Sequence, residues 1–271
     1  MSSEEPLVYL NDGFVSAGAA QLPVYDAAIV MGATVTDFVR TFHQRLFRLQ
    51  DHLTRFCRGC DAVGIALPLS KAELEAVCWQ LVRHNAPLAD GGAELALIMF
   101  ASPGGLATYA GHPLSAAGAA TLCVHTFPLP LQMWRQAMRQ GAHVVTPATR
   151  HLPPQCLDPA IKCRSRMHWW MAEREAHAAD PRAMALCLDL EGRITETSRA
   201  NFALVRDGCI FTPCRENVLW GVSLTVLTEI CRDLKISLSE RDLWVEDVLA
   251  ADEAMLVGTT CCLAPVTMIN H

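Results

Sequence analysis

Asp158-Pro159-Ala160-Ile161-Lys162-Cys163-Arg164-Ser165-Arg166 is the stretch on which the reading of this chain turns. Lys162 is one of only three lysines among 271 residues, the others being Lys71 and Lys235. Lys71 opens an amphipathic helical pattern and Lys235 follows another near its C-terminal end, ordinary places for a solvated ammonium. Lys162 instead follows Pro159-Ala160-Ile161 and precedes a long helical pattern that starts near Ser165. A lysine at an element junction, behind an apolar residue, is a candidate for a desolvated amine of lowered pKa. Such an amine can condense with a carbonyl group as a Schiff base. Taken alone, the same residue also fits a lysine lying along a domain edge in an arginine-rich chain.

Composition narrows the class. Hydrophobic residues make up 51% and charged residues 18%, with a formal net charge of −6 and a pI near 5.9, a balance that argues against a nucleic-acid footprint. Met1 to Pro6 is polar and acidic and lacks the basic and apolar regions of a signal peptide. No apolar run reaches the ~18 residues of a membrane span. The twelve cysteines, including the adjacent Cys261-Cys262, are scattered without the spacing of a secreted disulfide framework, and a reducing cytoplasm is expected. Cys57-x-x-Cys60 has metal spacing, but there is no second such pair. It falls on the helical pattern Leu49, Leu53, Phe56, Cys57, Cys60, where cysteine serves as a small core residue, so no metal is expected.

Working outward, residues 7–47 read as strand-rich. Leu7 to Leu10 turns at Asn11-Asp12-Gly13 into a further extended stretch to Val24, and Val35 to Phe42 pairs with Arg45 to Leu49 around His43-Gln44. Helices are expected over Gln50 to Val63 and, from a capping box at Ser70-Lys71-Ala72-Glu73, to Arg83. Glu94 to Ala101 and Thr121 to Phe127 read as strands separated by a Gly/Pro/Ala-rich loop. Two prolines in Phe127-Pro128-Leu129-Pro130 predict a linker. Beyond it come a helix near Gln132 to Gln140, a strand at His143 to Pro147 and a helix near Ser165 to Ala179. Strands follow at Met184 to Leu190 and at Asn201 to Thr212, the latter bent at Asp207-Gly208, then a helix near Val222 to Leu234 and a strand at Met255 to Gly258. Frequent hairpins without βαβ alternation give an α+β fold in two lobes, 1–126 and 134–271, joined by 127–133. The absence of GxxxxGK[ST] and GxGxxG removes the phosphate-cradling loops of nucleotide enzymes.

Three polar stretches sit at element ends. Ile194-Thr195-Glu196-Thr197-Ser198-Arg199-Ala200-Asn201-Phe202 flanks a glutamate with small hydroxyl residues. Leu219-Trp220-Gly221-Val222-Ser223 puts a glycine before a helix start, where free amides and the positive dipole end suit a phosphate. Val257-Gly258-Thr259-Thr260 runs a strand into two hydroxyls. Each is also readable as a plain turn or cap.

In order, these stretches join others: Val8-Tyr9-Leu10-Asn11-Asp12-Gly13, Val24-Tyr25-Asp26, Gly32, Asp37 and Arg40, Phe47 to Phe56, Ile161-Lys162, Thr212-Pro213, Ala251-Asp252-Glu253 and Pro265-Val266. The set spans nearly the whole chain and resembles the class IV aminotransferases, the fold type IV pyridoxal 5′-phosphate enzymes. That group includes branched-chain aminotransferases, D-amino acid aminotransferases and aminodeoxychorismate lyase. The resemblance implies a homodimeric enzyme moving an amino group between an amino acid or amine and a 2-oxo acid. A lyase similar to aminodeoxychorismate lyase, or a cofactor-binding homologue without turnover, would show the same motifs. By the same resemblance Lys162 would bind the cofactor aldehyde and shuttle the substrate proton, and Glu196 would face the pyridine nitrogen. Arg55, the amides of Val222 and Ser223 and the Thr259 hydroxyl would hold the phosphate, while Asn201 would support Glu196.

The departures lie at the substrate end. The strand equivalent to Ile98–Ser102 lacks the arginine of the D-amino acid enzymes, and Glu94-Leu95-Ala96-Leu97 lacks the Tyr-x-Arg of the branched-chain enzymes. Thr36 stands where an aromatic is common, Asp37 replaces a glutamate, and Leu224 replaces an arginine. The tyrosine expected after the lysine gives way to Arg164, Arg166, Met167 and His168. Arg40, Thr36 and Arg164 are the candidate substrate contacts, with Arg166 able to substitute. Members of the family usually continue past Pro265-Val266 through a glycine-rich turn and a last helix, whereas this sequence stops at His271.

Overall fold

The computed structural model describes residues 5–113 and 119–271. The acidic N-terminus and the Gly/Pro/Ala-rich loop expected between Ala101 and Thr121 therefore lie in part outside the described residues. The architecture is α+β, and the chain forms two compact units: the first takes the chain through Leu129 plus Ile161–Ser165, and the second takes Pro130–Ala160 and Arg166–His271.

The first unit is built on an antiparallel sheet. Its strands are β1 (Leu7–Leu10), β2 (Gly13–Ser16), β3 (Val35–Phe42), β4 (Arg45–Leu46), β5 (Leu95–Ser102) and β6 (Thr121–Pro128), in the order β2-β1-β6-β5-β3-β4. A short helix α1 (Ala27–Val30) precedes β3. The helices α2 (Leu49–Ala62) and α3 (Lys71–Asn85) cover one face, and α4 (Ala107–Ala110) follows β5. Apolar side chains at helical spacing bring this about: Leu49, Leu53, Phe56 and Cys60 of α2 and Leu74, Cys78, Leu81 and Val82 of α3 share one core with Val35, Val39, Leu97, Met99, Leu122 and Val124. Alternation along each strand sends these residues to the helical side and their neighbours to the other. The capping box forms as read, with Ser70 N–H donating to Glu73 at 2.8 Å and Glu73 N–H to the Ser70 hydroxyl at 3.3 Å. The β3–β4 turn puts His43 and Gln44 at φ 49° and 59° without a glycine. Glu94 accepts from both turn amides, at 2.6 and 3.3 Å, and from the Thr41 hydroxyl at 2.5 Å, which offsets the strain.

Three local expectations fail. The strand expected over Arg45 to Leu49 stops at Leu46, and Leu49 opens α2. The extended stretch after β1 ends at Ser16 and gives way to a 3₁₀ turn at Ala17–Ala19. Phe127 and Pro128, expected in a linker, complete β6 opposite Ala96 and Leu95. Proline is tolerated there because it is the last residue of the strand.

The second unit comprises α5 (Gln132–Gln140), β7 (Ala142–Val145), α6 (Met167–Ala179), β8 (Met184–Leu188), β9 (Ile194–Thr197), β10 (Asn201–Arg206), β11 (Cys209–Thr212), α7 (Val222–Leu234), β12 (Leu238–Glu240), α8 (Val245–Leu249), β13 (Glu253–Gly258) and β14 (Cys262–Ile269). Its sheet runs β12-β11-β10-β13-β14-β7-β8-β9, and a pairing of Glu196 with Asn201 returns β9 to β10, closing six strands into a ring. Helix α7 buries Leu224, Leu227 and Cys231 against Ala203, Ile210 and Val257. Strand β14 pairs along β13 and, in parallel, along β7; nothing in its local pattern announced it.

Asn85, at the end of α3, completes the edge of β1. Its carbonyl oxygen accepts from Leu7 N–H, and its amide donates to the Leu7 carbonyl and the Thr126 hydroxyl, all at 2.8 Å. Replacing Asn85 by alanine orphans both backbone groups of Leu7. We expect a loss of about 2 kcal/mol in urea unfolding, whereas Ser70→Ala, which removes a helix cap, should cost about 1 kcal/mol.

Candidate active site

In the first unit the decisive segment is held by backbone pairing. Thr36 N–H donates to the Lys162 carbonyl at 2.8 Å, and Arg164 N–H to the Thr34 carbonyl at 2.9 Å, bracketing an antiparallel bridge between Val35 and Cys163. Ile161 packs against the first core, and the Ser165 hydroxyl donates to the Gly32 carbonyl at 2.7 Å. Residues 162–164 thus form a single antiparallel bridge beside the start of β3. Alternation puts Lys162 and Arg164 on the face of Thr36, away from the helices, and Cys163 on the face of Val35. Thr36 is buried, its hydroxyl donating to the Met99 carbonyl at 2.9 Å. Arg40 is also buried; its guanidinium carbon lies 3.9 Å from the Phe42 ring centroid, and its Nε donates to the Thr41 carbonyl at 3.2 Å.

On the helical side of β3, Asp37 is fully buried between two residues of α2. Arg55 grips it as a fork, Nε to Oδ2 and Nη2 to Oδ1, both at 2.8 Å, while His52 Nδ1 donates to Oδ1 at 2.7 Å and Phe38 N–H at 2.7 Å. Burial pushes the Asp37 carboxyl upward. The charges of Arg55 and His52, with their hydrogen bonds, outweigh it and hold the group far below the usual carboxylate range. Helical spacing brings His52 and Arg55 to the same side of α2. Cys60, on the same helix, has its thiol pushed up to about 12 by burial, which suits a core residue and not a metal ligand.

In the second unit several element ends meet around Glu196, which is buried on β9. Leu219 N–H donates to Oε1 at 2.9 Å and Asn201 Nδ2 to Oε2 at 3.1 Å. The same Asn201 amide donates to the Leu219 carbonyl at 2.7 Å, and its oxygen accepts from Gly221 N–H at 3.2 Å. Gly221 is the N-cap of α7, with no side chain capping the helix, so the first-turn amides of Val222 and Ser223 have no intrahelical partner. A Cβ at Gly221 would lie 2.4 Å from the Asn201 oxygen, so only glycine permits this approach. Thr259 follows β13 directly, after Gly258, whose Cβ position would be 3.0 Å from the Arg199 carbonyl. Leu224, where the family's arginine is expected, is fully buried in the α7 core.

Sequence reasoning did not single out His151. Its Nδ1 donates to the Leu152 carbonyl at 3.0 Å, which turns Nε2 towards Glu196 Oε1 at 3.7 Å. The rings of His168 and Trp169 pack edge-on against it, at 5.9 and 5.2 Å between centroids. Burial, then the charges of His151 and Arg166, pull His168 down to about 4, so it is neutral at pH 7. Arg166 donates to the Ser198 carbonyl, and Met167 is exposed. The only cue to His151 in the sequence is a histidine just before Pro153-Pro154. Among the described residues no cluster of His, Cys, Asp or Glu has the makings of a metal site.

Comparison with known proteins gives the family. The family model for amino-transferase class IV matches residues 34–269. A Methanocaldococcus jannaschii protein assigned as a branched-chain-amino-acid aminotransferase is 27% identical over 264 residues, covering 97% of this chain and 88% of its own. The D-alanine aminotransferase of Listeria innocua is 25% identical over 265 residues, covering 97% and 87%. Among solved structures, the branched-chain amino acid aminotransferase of T.th. with pyridoxamine 5′-phosphate superposes with a TM-score of 0.85 at 26% identity, over 98% of this chain and 86% of its own.

The Asp37 cluster makes a stability prediction. Asp37→Asn leaves the buried Arg55 without its counter-charge and should cost about 3–5 kcal/mol in urea unfolding at pH 7. Because folding depresses the Asp37 pKa, its contribution is present above the unfolded value of about 3.9 and fades as pH falls below it. The wild type should therefore lose stability below about pH 4 more steeply than Asp37→Asn does.

Proposed function

The chain belongs to amino-transferase class IV, and on that premise we propose that it moves an amino group between an amino acid or amine and a 2-oxo acid, using pyridoxal 5′-phosphate. The observation that carries this reading is the cluster around Glu196: a buried carboxylate oriented by Leu219 and Asn201, next to an uncapped helix N-terminus behind Gly221. That donor set suits a phosphorylated pyridine, since first-turn amides favour a phosphate and a carboxylate favours a protonated ring nitrogen.

When bound, the cofactor supplies the electron sink for the substrate Cα–H bond. Lys162 would hold its aldehyde carbon and would carry the proton to and from the substrate Cα. Glu196 would hold the proton on the pyridine nitrogen. Arg55, Val222, Ser223 and Thr259 would bind the phosphate, with Asp37 and His52 fixing the Arg55 fork in one orientation. Arg40, Thr36 and Arg164 are the proposed substrate contacts. The working unit is a homodimer, a reading supported by the exposed Met167, Trp170 and Met171 along one side of α6, at 70%, 65% and 50% exposure. Cytoplasmic residence is supported by twelve free cysteines. No helix among the described residues is long and apolar enough to cross a membrane.

Borohydride reduction of the cofactor-loaded protein should attach the cofactor at Lys162, and Lys162→Ala should lose turnover. Attachment at Lys71 or Lys235, located by peptide mass spectrometry, would defeat the assignment. Glu196→Gln keeps the shape but removes the charge and leaves one accepting oxygen in place of two. It should fold, take up cofactor and turn over at least ~100-fold more slowly, or about 2.7 kcal/mol, with the loss in kcat. Near-normal kcat in the loaded Glu196→Gln protein would make this glutamate a turn residue only.

A further inference from the structure

Strand β5, Leu95 to Ser102, is uncharged throughout and offers no cation to a substrate carboxylate. Three arginines compete for the role. Arg40 is buried and engaged with the Phe42 ring and the Thr41 carbonyl. Arg166 donates to the Ser198 carbonyl. Arg164 differs. It is exposed, its guanidinium carbon lies 5.5 Å from the Phe100 ring centroid on β5, and no carboxylate among the described residues pairs with it. Arg193, Arg215 and Arg241 each hold an acidic partner.

The groups around Arg164 leave its charge uncompensated. Burial pushes the Cys123 thiol up to about 12 against the pull of Arg164, so no thiolate forms there at neutral pH. Burial, and then the positive charge of Arg164, pulls His125 below its ordinary value and keeps it neutral. One fixed cation on an aromatic surface, with a neutral imidazole near by, fits a monoanion; a dianionic phosphate calls for more positive charge. The base of the arm is also fixed, by the Arg164 N–H bond to the Thr34 carbonyl at 2.9 Å and the Ser165 bond to Gly32.

We propose that Arg164, laid over Phe100 beside His125, is the residue that binds the carboxylate of the amino donor and of the 2-oxo acid. Lys162 and Arg164 leave the same face of one extended segment, two residues and so about 6.7 Å apart at their backbones. An α-amino acid carries its carboxylate on the very carbon that bears the reacting nitrogen, so a lysine and an arginine set side by side match its two ends. The planar fork also takes a carboxylate with two parallel hydrogen bonds. This inference rests on the amino-transfer reading and deepens it.

The test titrates isovalerate, an unreactive monocarboxylate, and separately inorganic phosphate into the protein with and without pyridoxal 5′-phosphate, using calorimetry. Wild type should bind isovalerate, Arg164→Gln about tenfold to a hundredfold more weakly, and Arg164→Lys between the two. Phe100→Leu, which removes the ring but keeps the charge, should weaken binding less than Arg164→Gln. With amino acid donors, Arg164→Gln should raise KM, and kcat should fall less than KM rises. Equal isovalerate affinity in wild type and Arg164→Gln would overturn the proposal, as would Arg164-dependent binding of phosphate alone. Failure to take up the cofactor would count instead against the amino-transfer reading, and the cofactor-free titration would still report on Arg164.

Discussion

A single asparagine holds the second unit's polar centre together. Asn201 pairs with Glu196 across the junction that closes β9 onto β10, and its side chain bonds Glu196, the Leu219 carbonyl and the Gly221 amide. One amide group thus connects a strand, a loop and the first residue of a helix. A buried carboxylate is costly unless its oxygens find donors, and here each oxygen has one. The same contacts orient Glu196 and position the α7 amides, so the requirement that buried polar groups be satisfied also sets the geometry of this cluster. Gly221 is part of the arrangement, since any side chain would strike the Asn201 oxygen at 2.4 Å.

The first unit solves a similar problem with charge. Asp37 has no surface exposure, yet its oxygens accept from Arg55, His52 and the Phe38 amide. A lone carboxylate there would be strongly destabilising, and the fork of Arg55 makes it tolerable. The cost of burying both groups is met once, and in return the guanidinium is fixed in orientation and loses little further freedom on meeting an anion. Lys162 is placed by another means. Its segment pairs through main-chain bonds with β3, so the position of its backbone does not depend on its own side chain.

Much of this was legible in the sequence, and the boundary of legibility is physical. Features set by neighbours in sequence were readable: the Ser70–Glu73 capping box, the glycine-free turn at His43-Gln44, and α7, whose Val222 and Leu234 limits follow from apolar spacing behind a glycine. The resemblance singles out Lys162, Arg55 and Glu196, and the structure places them beside the start of β3, in the middle of α2 and on β9. What escaped depends on partners far along the chain. The bonds of Asp26 to Ser102 and Thr121, both at 2.6 Å, span 76 and 95 residues. Strand β14 forms between two strands that its own residues do not specify. His151 lies within reach of Glu196 although α6 and β8 intervene between them in the chain. Pro128 was misjudged because the rule against proline in strands concerns the N–H it lacks, and at a strand's last position that lack is tolerable.

The constraints on β3 and β5 separate face by face. On the helical side of β3, Asp37 is held by Arg55 and His52 at 2.7 to 2.8 Å. On the other side Thr36 lies opposite Phe100 on β5, a strand without a charged residue. A strand's period of two makes this separation available, since adjacent residues point to opposite faces and feel different constraints. Residues 35, 37 and 39 answer to the core and to Asp37's buried charge, where a poor fit costs stability. Residues 36, 38 and 40 face the other way, where Thr36 and Arg40 are buried and Phe38 packs edge-on to Phe127. The Asp37 network on one face and the Thr36–Phe100 pair on the other are therefore separately constrained parts of the same two strands.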